Sequence, residues 1–161
     1  SSSGARKMKR FQFSLQSVLA MREAKLNQAE AAVADQQRIC RALRERLMKL
    51  REAEMETLAE LAMGQGSAQA GPSMLPVRRA YLLGIGEQIK ALEVTLAAET
   101  AEEVRLRQVL LECSKEEQVI EHLKTRKIKA FRVEMAREEQ ADIDEAAVGR
   151  WAVQAVRESV S

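Results

Sequence analysis

Apolar residues recur at alternating three- and four-residue steps from Leu15 to Leu61, and again from Leu82 to Phe131. Such steps average to the 3.5-residue repeat of a coiled-coil seam, which keeps one stripe turned towards a partner helix. In the first stretch Leu19, Leu26, Val33, Cys40 and Leu47 share one heptad position and Leu15, Ala29, Leu43 and Leu50 the other, with Arg22, Gln36 and Glu54 as polar interruptions. In the second, Leu82, Ile89, Leu96, Leu110 and Phe131 share one position and Ile85, Leu92, Leu106, Cys113 and Ile120 the other. Glu99, Glu103, Glu117, Lys124 and Lys127 interrupt it. Polar seam residues weaken the pairing but help fix its register. Towards the C-terminal end the stripe loosens to Ile120, Leu123, Ile128, Phe131 and Met135.

Between the stripes lies Gly64-Gln65-Gly66-Ser67-Ala68-Gln69-Ala70-Gly71-Pro72-Ser73, with Pro76 just beyond. Glycine has no Cβ to hold it in the helical well, and proline lacks the donor and clashes with the preceding turn. Ser14 is placed to cap the first helix, Gly64 to end it, and Ser73 or Pro76 to open the second. The pattern predicts an all-α fold: a long antiparallel two-helix coiled-coil hairpin with an overhanging C-terminal helix. Its parts are helix one over about 12–63, a flexible turn over about 64–75, helix two over about 76–147 and a tail over 148–161. With the turn near residue 70, Phe11 faces Lys129 and everything after roughly Phe131 lacks a partner. Helix two then projects ~25 Å past the paired part.

Leu, Ala, Glu, Lys, Arg and Gln dominate the composition, aromatics make up 3%, and there are two prolines and seven glycines. That is the composition of long helices. Residues 1–7 read as a vector-derived leader ahead of Met8, with 8–161 a single coiled-coil domain. Lys+Arg number 26 against 24 Asp+Glu, and setting aside Arg6 and Lys7 leaves the two signs equal. The slight basic excess is therefore no argument for nucleic acid. No apolar run reaches the ~20 residues that span a bilayer, so direct membrane insertion is not expected. A cytoplasmic protein is expected. Cys40 and Cys113 form no CxxC pair. In the hairpin register they stand about 20 Å apart along the helices, well beyond disulfide reach. They are read as reduced, small seam hydrophobes.

Sites for chemistry are sparse. A two-helix seam offers no pocket for a nucleophile or acid–base pair. His122 is the one histidine and reads as a solvated surface residue, and a zinc site needs more Cys and His than are present. Gly84-Ile85-Gly86 and Gly64-Gln65-Gly66 are too short for a dinucleotide fingerprint, and no GK[ST] occurs. No enzyme, cofactor or metal is expected. Charge placement says more. Closing the hairpin brings Lys9 and Arg10 near Lys124, Arg126, Lys127, Lys129 and Arg132, a basic end that reads either as solvated or as a plug for an acidic ring or cleft. Arg38, Arg41, Arg44, Arg46, Lys49 and Arg51 read as a solvated face balanced by glutamates on helix two.

Phe11-Gln12-Phe13-Ser14-Leu15-Gln16-Ser17-Val18-Leu19, followed by Arg22-Glu23, resembles the start of the flagellar export protein FliJ family. Glu138-Glu139-Gln140 followed by Asp144-Glu145-Ala146 is similar to that family's acidic close. The resemblance implies an antiparallel coiled coil like the central stalk of rotary ATPases. It would be seated in the hexameric export ATPase of the flagellar type III apparatus, promote ring assembly, link the ring to the membrane export gate and escort export chaperones. That places it in the cytoplasm, peripheral at the inner-membrane export apparatus. Carried over by position, the contact set is Phe11, Phe13, Leu15, Gln16, Arg22 and Glu23 with Phe131, Glu138, Glu139, Gln140, Asp144 and Glu145, to which the basic end adds Lys124, Arg126 and Lys127. The two N-terminal aromatics read equally as a staple closing the helix pair, a reading that favours Phe13, since alternating residues on a helix cannot both face a seam. Three other readings stand beside this one: the stalk of a virulence-type injectisome, a self-associating coiled-coil scaffold and a nucleic-acid-binding rod. The last lacks aromatics for base stacking.

Overall fold

Two helices account for the fold: α1, Gln16–Gly64, and α2, Leu75–Val160. The computed structural model describes residues 10–64 and 74–160. The expected leader, Lys9 and most of the Gly-rich turn lie outside the described residues. α1 ends at Gly64, Pro76 lies in the first turn of α2, and α2 runs on past Ala147 to Val160. The Gly84-Ile85-Gly86 triplet lies within α2. None of the described helices is long and apolar enough to cross a membrane.

The chain divides into two compact units, and both helices contribute to each. Unit 1 joins the residues up to Glu23 with those from Lys115 onward; unit 2 is Ala24–Ser114. In unit 2 the helices pack antiparallel. Gln36 of α1 meets Glu99 of α2, and Arg51, further along α1, meets Glu93, further back on α2. The predicted frame is the buried one. Within the helices, Leu19, Ala29, Val33, Gln36, Cys40, Leu47 and Thr57 of α1 and Ile85, Ile89, Leu92 and Glu103 of α2 are buried, and each stands on a heptad seam position. The tightest cluster is Leu47 with Ile85, Ile89 and Leu92, enclosed by Leu43, Leu50, Ala53 and Leu96.

Among the described residues, three polar residues are buried in the unit 2 seam, and each finds a partner. Gln36 Nε2 donates to the Glu99 carbonyl oxygen at 3.0 Å and also to the Glu99 carboxylate. Thr57 Oγ1 donates to the Ala53 carbonyl at 2.9 Å. Glu103 takes an ion pair from Arg107, one turn on, at 2.7 Å, and accepts from the Cys40 thiol. A buried polar group left unpaired costs about 1–3 kcal/mol, so the pairs that cross between the helices, Gln36–Glu99 and Cys40–Glu103, hold only in one register. The arginine face expected on α1 pairs in two ways: Arg51 crosses to Glu93 at 2.7 Å, and Arg38 turns to Asp35 on its own helix at 3.2 Å. Both cysteines are free thiols.

Two outcomes follow from this seam. Leu47→Ala is expected to destabilise the chain by about 2–4 kcal/mol, while Met48→Ala, on the exposed neighbour, shifts it by less than about 0.5 kcal/mol. Urea unfolding followed by circular dichroism at 222 nm measures both; equal effects would contradict the seam assignment. The second concerns Cys40. Burial, and then its hydrogen bond to Glu103, push its thiol above the ordinary 9.0. The folded chain therefore holds this proton more firmly than the unfolded chain. The stability so contributed is complete below the ordinary thiol value and is lost as pH rises towards the raised folded value. As pH rises above about 9, the urea midpoint of the wild type should fall more steeply than that of Cys40→Ala. Parallel slopes would show that the thiol ionises as freely folded as unfolded.

Candidate functional site

Unit 1 brings the N-terminal stretch against α2. Residues 10–13 precede helical backbone, and Ser14 and Leu15 form the turn that leads into α1. The Gln16 N–H donates to the Phe13 carbonyl at 3.0 Å and the Leu19 N–H to the Leu15 carbonyl at 2.9 Å. This start has a consequence for the two aromatics. On a helix, positions 11 and 13 point about 200° apart, and only one can face a partner; outside a helix, alternate residues share a side. Phe13 is buried, with Lys127 Nζ 6.0 Å from its ring centroid. Phe11 is half-buried, its ring tilted 59° against Phe131 with centroids 5.6 Å apart. Both therefore reach α2, and the helix-based reason for separating their roles does not apply. Tilted aromatic pairs of this kind add about 0.5–1.5 kcal/mol beyond area burial.

Further along, Arg22 reaches across to Glu116 in an ion pair and hydrogen bond. Its Nε is buried without a hydrogen-bond partner. The pairs Phe11–Phe131, Phe13–Lys127 and Arg22–Glu116 run in opposite senses along the two chain segments, so unit 1 is antiparallel as well. Leu15 is half-buried and Gln16 exposed; Lys124 is half-buried, while Arg126 and Lys127 are exposed. The acidic residues Glu138, Glu139, Asp144 and Glu145 stand exposed on α2 with Gln140, whose Nε2 donates to Asp144 Oδ1 at 2.9 Å. His122 is exposed.

The site residues read from the sequence thus fall into two groups. Phe11, Phe13, Leu15, Arg22 and Phe131 take part in closing unit 1. Gln16, Glu23, Arg126, Glu138, Glu139, Gln140, Asp144 and Glu145 present their side chains to solvent, with Lys124 and Lys127 between the two groups. One grouping went unread in the sequence. Glu23, Glu117 and Glu121 bring one carboxylate oxygen each to within 4.8 Å of one another. Oxygen ligands of this kind suit a hard cation, though exposed carboxylates often cluster without one. Cys and His spacing does not point to them. The signal was available, since the antiparallel register sets Glu23 opposite Glu117 and Glu121 lies one turn on from Glu117.

A family model described as flagellar FliJ protein matches residues 11–155. No curated protein and no solved structure matches the chain.

The division into closing and solvent-facing groups yields a direct test. Phe13→Ala is expected to lower stability by about 2–4 kcal/mol, because it empties a buried aromatic site. Arg126→Glu, on the exposed face, should leave both the far-ultraviolet circular dichroism spectrum and the urea midpoint unchanged within about 0.5 kcal/mol. Loss of helicity in Arg126→Glu would contradict its placement on the solvent side.

Proposed function

Because the chain belongs to the flagellar FliJ family, we propose that it is a non-enzymatic stalk and adaptor of the flagellar type III export apparatus, with unit 1 seated in the hexameric export ATPase. In this reading it promotes ring assembly, links the ring to the membrane export gate and escorts export chaperones, in the cytoplasm and peripheral to the inner membrane. The observation that carries the proposal is the family match over residues 11–155 together with an exposed, strongly charged face on unit 1. The exposed charges of α2 there are Arg126, then Glu138, Glu139, Asp144 and Glu145. We infer further that α2 extends past the paired stretch of α1, since every residue from Ile143 to Val160 is exposed.

The physics suits the role. A ring whose subunits fire in turn needs an asymmetric element at its axis. Two antiparallel helices present a different face in every direction, and a buried heptad seam resists bending and sliding. Exposed charges of both signs favour fast, oriented encounter more than raw affinity.

The test is ATP hydrolysis by the export ATPase with and without this chain, combined with counting of hexameric particles. The expected result is stimulation with more rings, reduced by about ten-fold in apparent affinity by Arg126→Glu. An unchanged rate and ring count at saturating concentration would remove the ATPase as direct partner.

A further inference from the structure

α1 carries a second heptad stripe outside its seam. Arg41, Arg44, Met48, Arg51, Met55 and Leu58 stand at i, i+3, i+7, i+10, i+14 and i+17. The stripe is basic at its start and apolar at its end. Its middle lines a groove of about 650 Å³ on unit 2, which takes in Arg44, Met48, Arg51 and Met55 of α1 and Leu96 of α2, with Glu52 and Glu56 beside them. Met48, Met55 and Leu58 are exposed. Methionine is flexible and polarizable, and it moulds to an apolar surface laid on it. Arg51 is held by Glu93, whereas Arg41 and Arg44 take no ion pair within unit 2.

The end of α2 carries the complement. Glu138, Ala141, Glu145, Val148, Ala152 and Ala155 repeat the same six-position spacing, acidic at its start and apolar at its end, and all six are exposed. Trp151 flanks the apolar half and is 72% exposed. Each stripe is ~26 Å long. Charged and apolar halves come in the same order along both, so they match when the two helices lie parallel. Arg41 and Arg44 then meet the level of Glu138 and Glu145, and the methionines meet Val148, Trp151 and Ala152. The small alanines let the two helices approach closely, and opposite charges fix the direction of pairing. The chain thus holds both halves of one contact, equal in length, identical in spacing and opposite in charge. We propose that it forms a two-fold dimer in which residues 138–155 of each copy lie along the 41–58 stripe of the other. A single contact of this length falls short of the ~800 Å² per partner of a stable interface, and the two-fold axis makes it twice. Glu138 and Glu145 are then covered, which sets the dimer against any partner that uses the same residues. The inference goes beyond the stalk reading and does not rest on it.

Trp151 is the sole tryptophan, which makes the contact directly observable. Sedimentation equilibrium of the full chain, from about 1 to 200 µM, gives its mass, and tryptophan emission is read on the same samples. The mass should rise to that of two chains as the emission moves to shorter wavelength. Two charge-reversed chains decide the geometry: one with Arg41→Glu and Arg44→Glu, the other with Glu138→Lys and Glu145→Lys. All four sites are exposed, so both chains should keep their helicity by circular dichroism. Each alone should pair about ten-fold or more weakly, because like charges then face each other. Mixed one to one, they should pair as the wild type does, since both contacts again join opposite signs. A single-chain mass at every concentration would overturn the proposal. So would an emission shift without a change in mass, which would place the helix end on its own chain. A dimer unaffected by either reversal, or reversed chains that fail to recover on mixing, would assign the pairing to another surface and overturn it as well.

Discussion

Everything in this protein depends on one constraint: a heptad stripe can be dry only against another heptad stripe. Neither helix has a wide apolar face, and there is no third layer among the described residues. The buried side chains of both helices are accordingly confined to the two positions of the repeat that face inward. Burial there is narrow, so each buried residue matters more than its area alone suggests. Small residues such as Ala29 and Cys40 are tolerated because the seam is only one side chain deep.

A seam of apolar residues alone would leave the helices free to settle in several registers. The polar residues remove that freedom. Gln36 meets both the carbonyl and the carboxylate of Glu99, and Cys40 meets Glu103, which Arg107 neutralises from one turn away. Sliding by one heptad would set these groups against leucines and leave them unpaired. They give up some stability for one defined alignment. In the proposed stalk role such an alignment would keep motion from being dissipated by slippage.

Unit 1 is built differently. Its pairing is closed by aromatic and cationic contacts at the start of the chain, with Phe11 on Phe131, Phe13 beneath Lys127 and Arg22 on Glu116. These contacts leave the charged residues on the outer sides of α2 available. The family to which the chain belongs is recognised by residues in this region. Several of those residues close the unit, while others face solvent.

The sequence by itself determined the fold class, the two helices and which positions face inward. Those follow from a local periodicity, since a stripe repeating every 3.5 residues is kept dry only by another such stripe. It also determined the antiparallel sense, because a Gly/Pro break between two stripes returns the chain on itself. The tertiary structure alone decided what the polar seam residues do. Gln36, Glu99 and Glu103 read as interruptions until their partners were in view, since hydrogen bonding depends on rotamers and on register to within one residue. It alone decided that Phe11 and Phe13 share a side, because the start of a helix is set by the packing of its first turns as much as by a capping serine. It also brought Glu23, Glu117 and Glu121 together, a grouping that no stretch of sequence contains and only the closure of two helices creates.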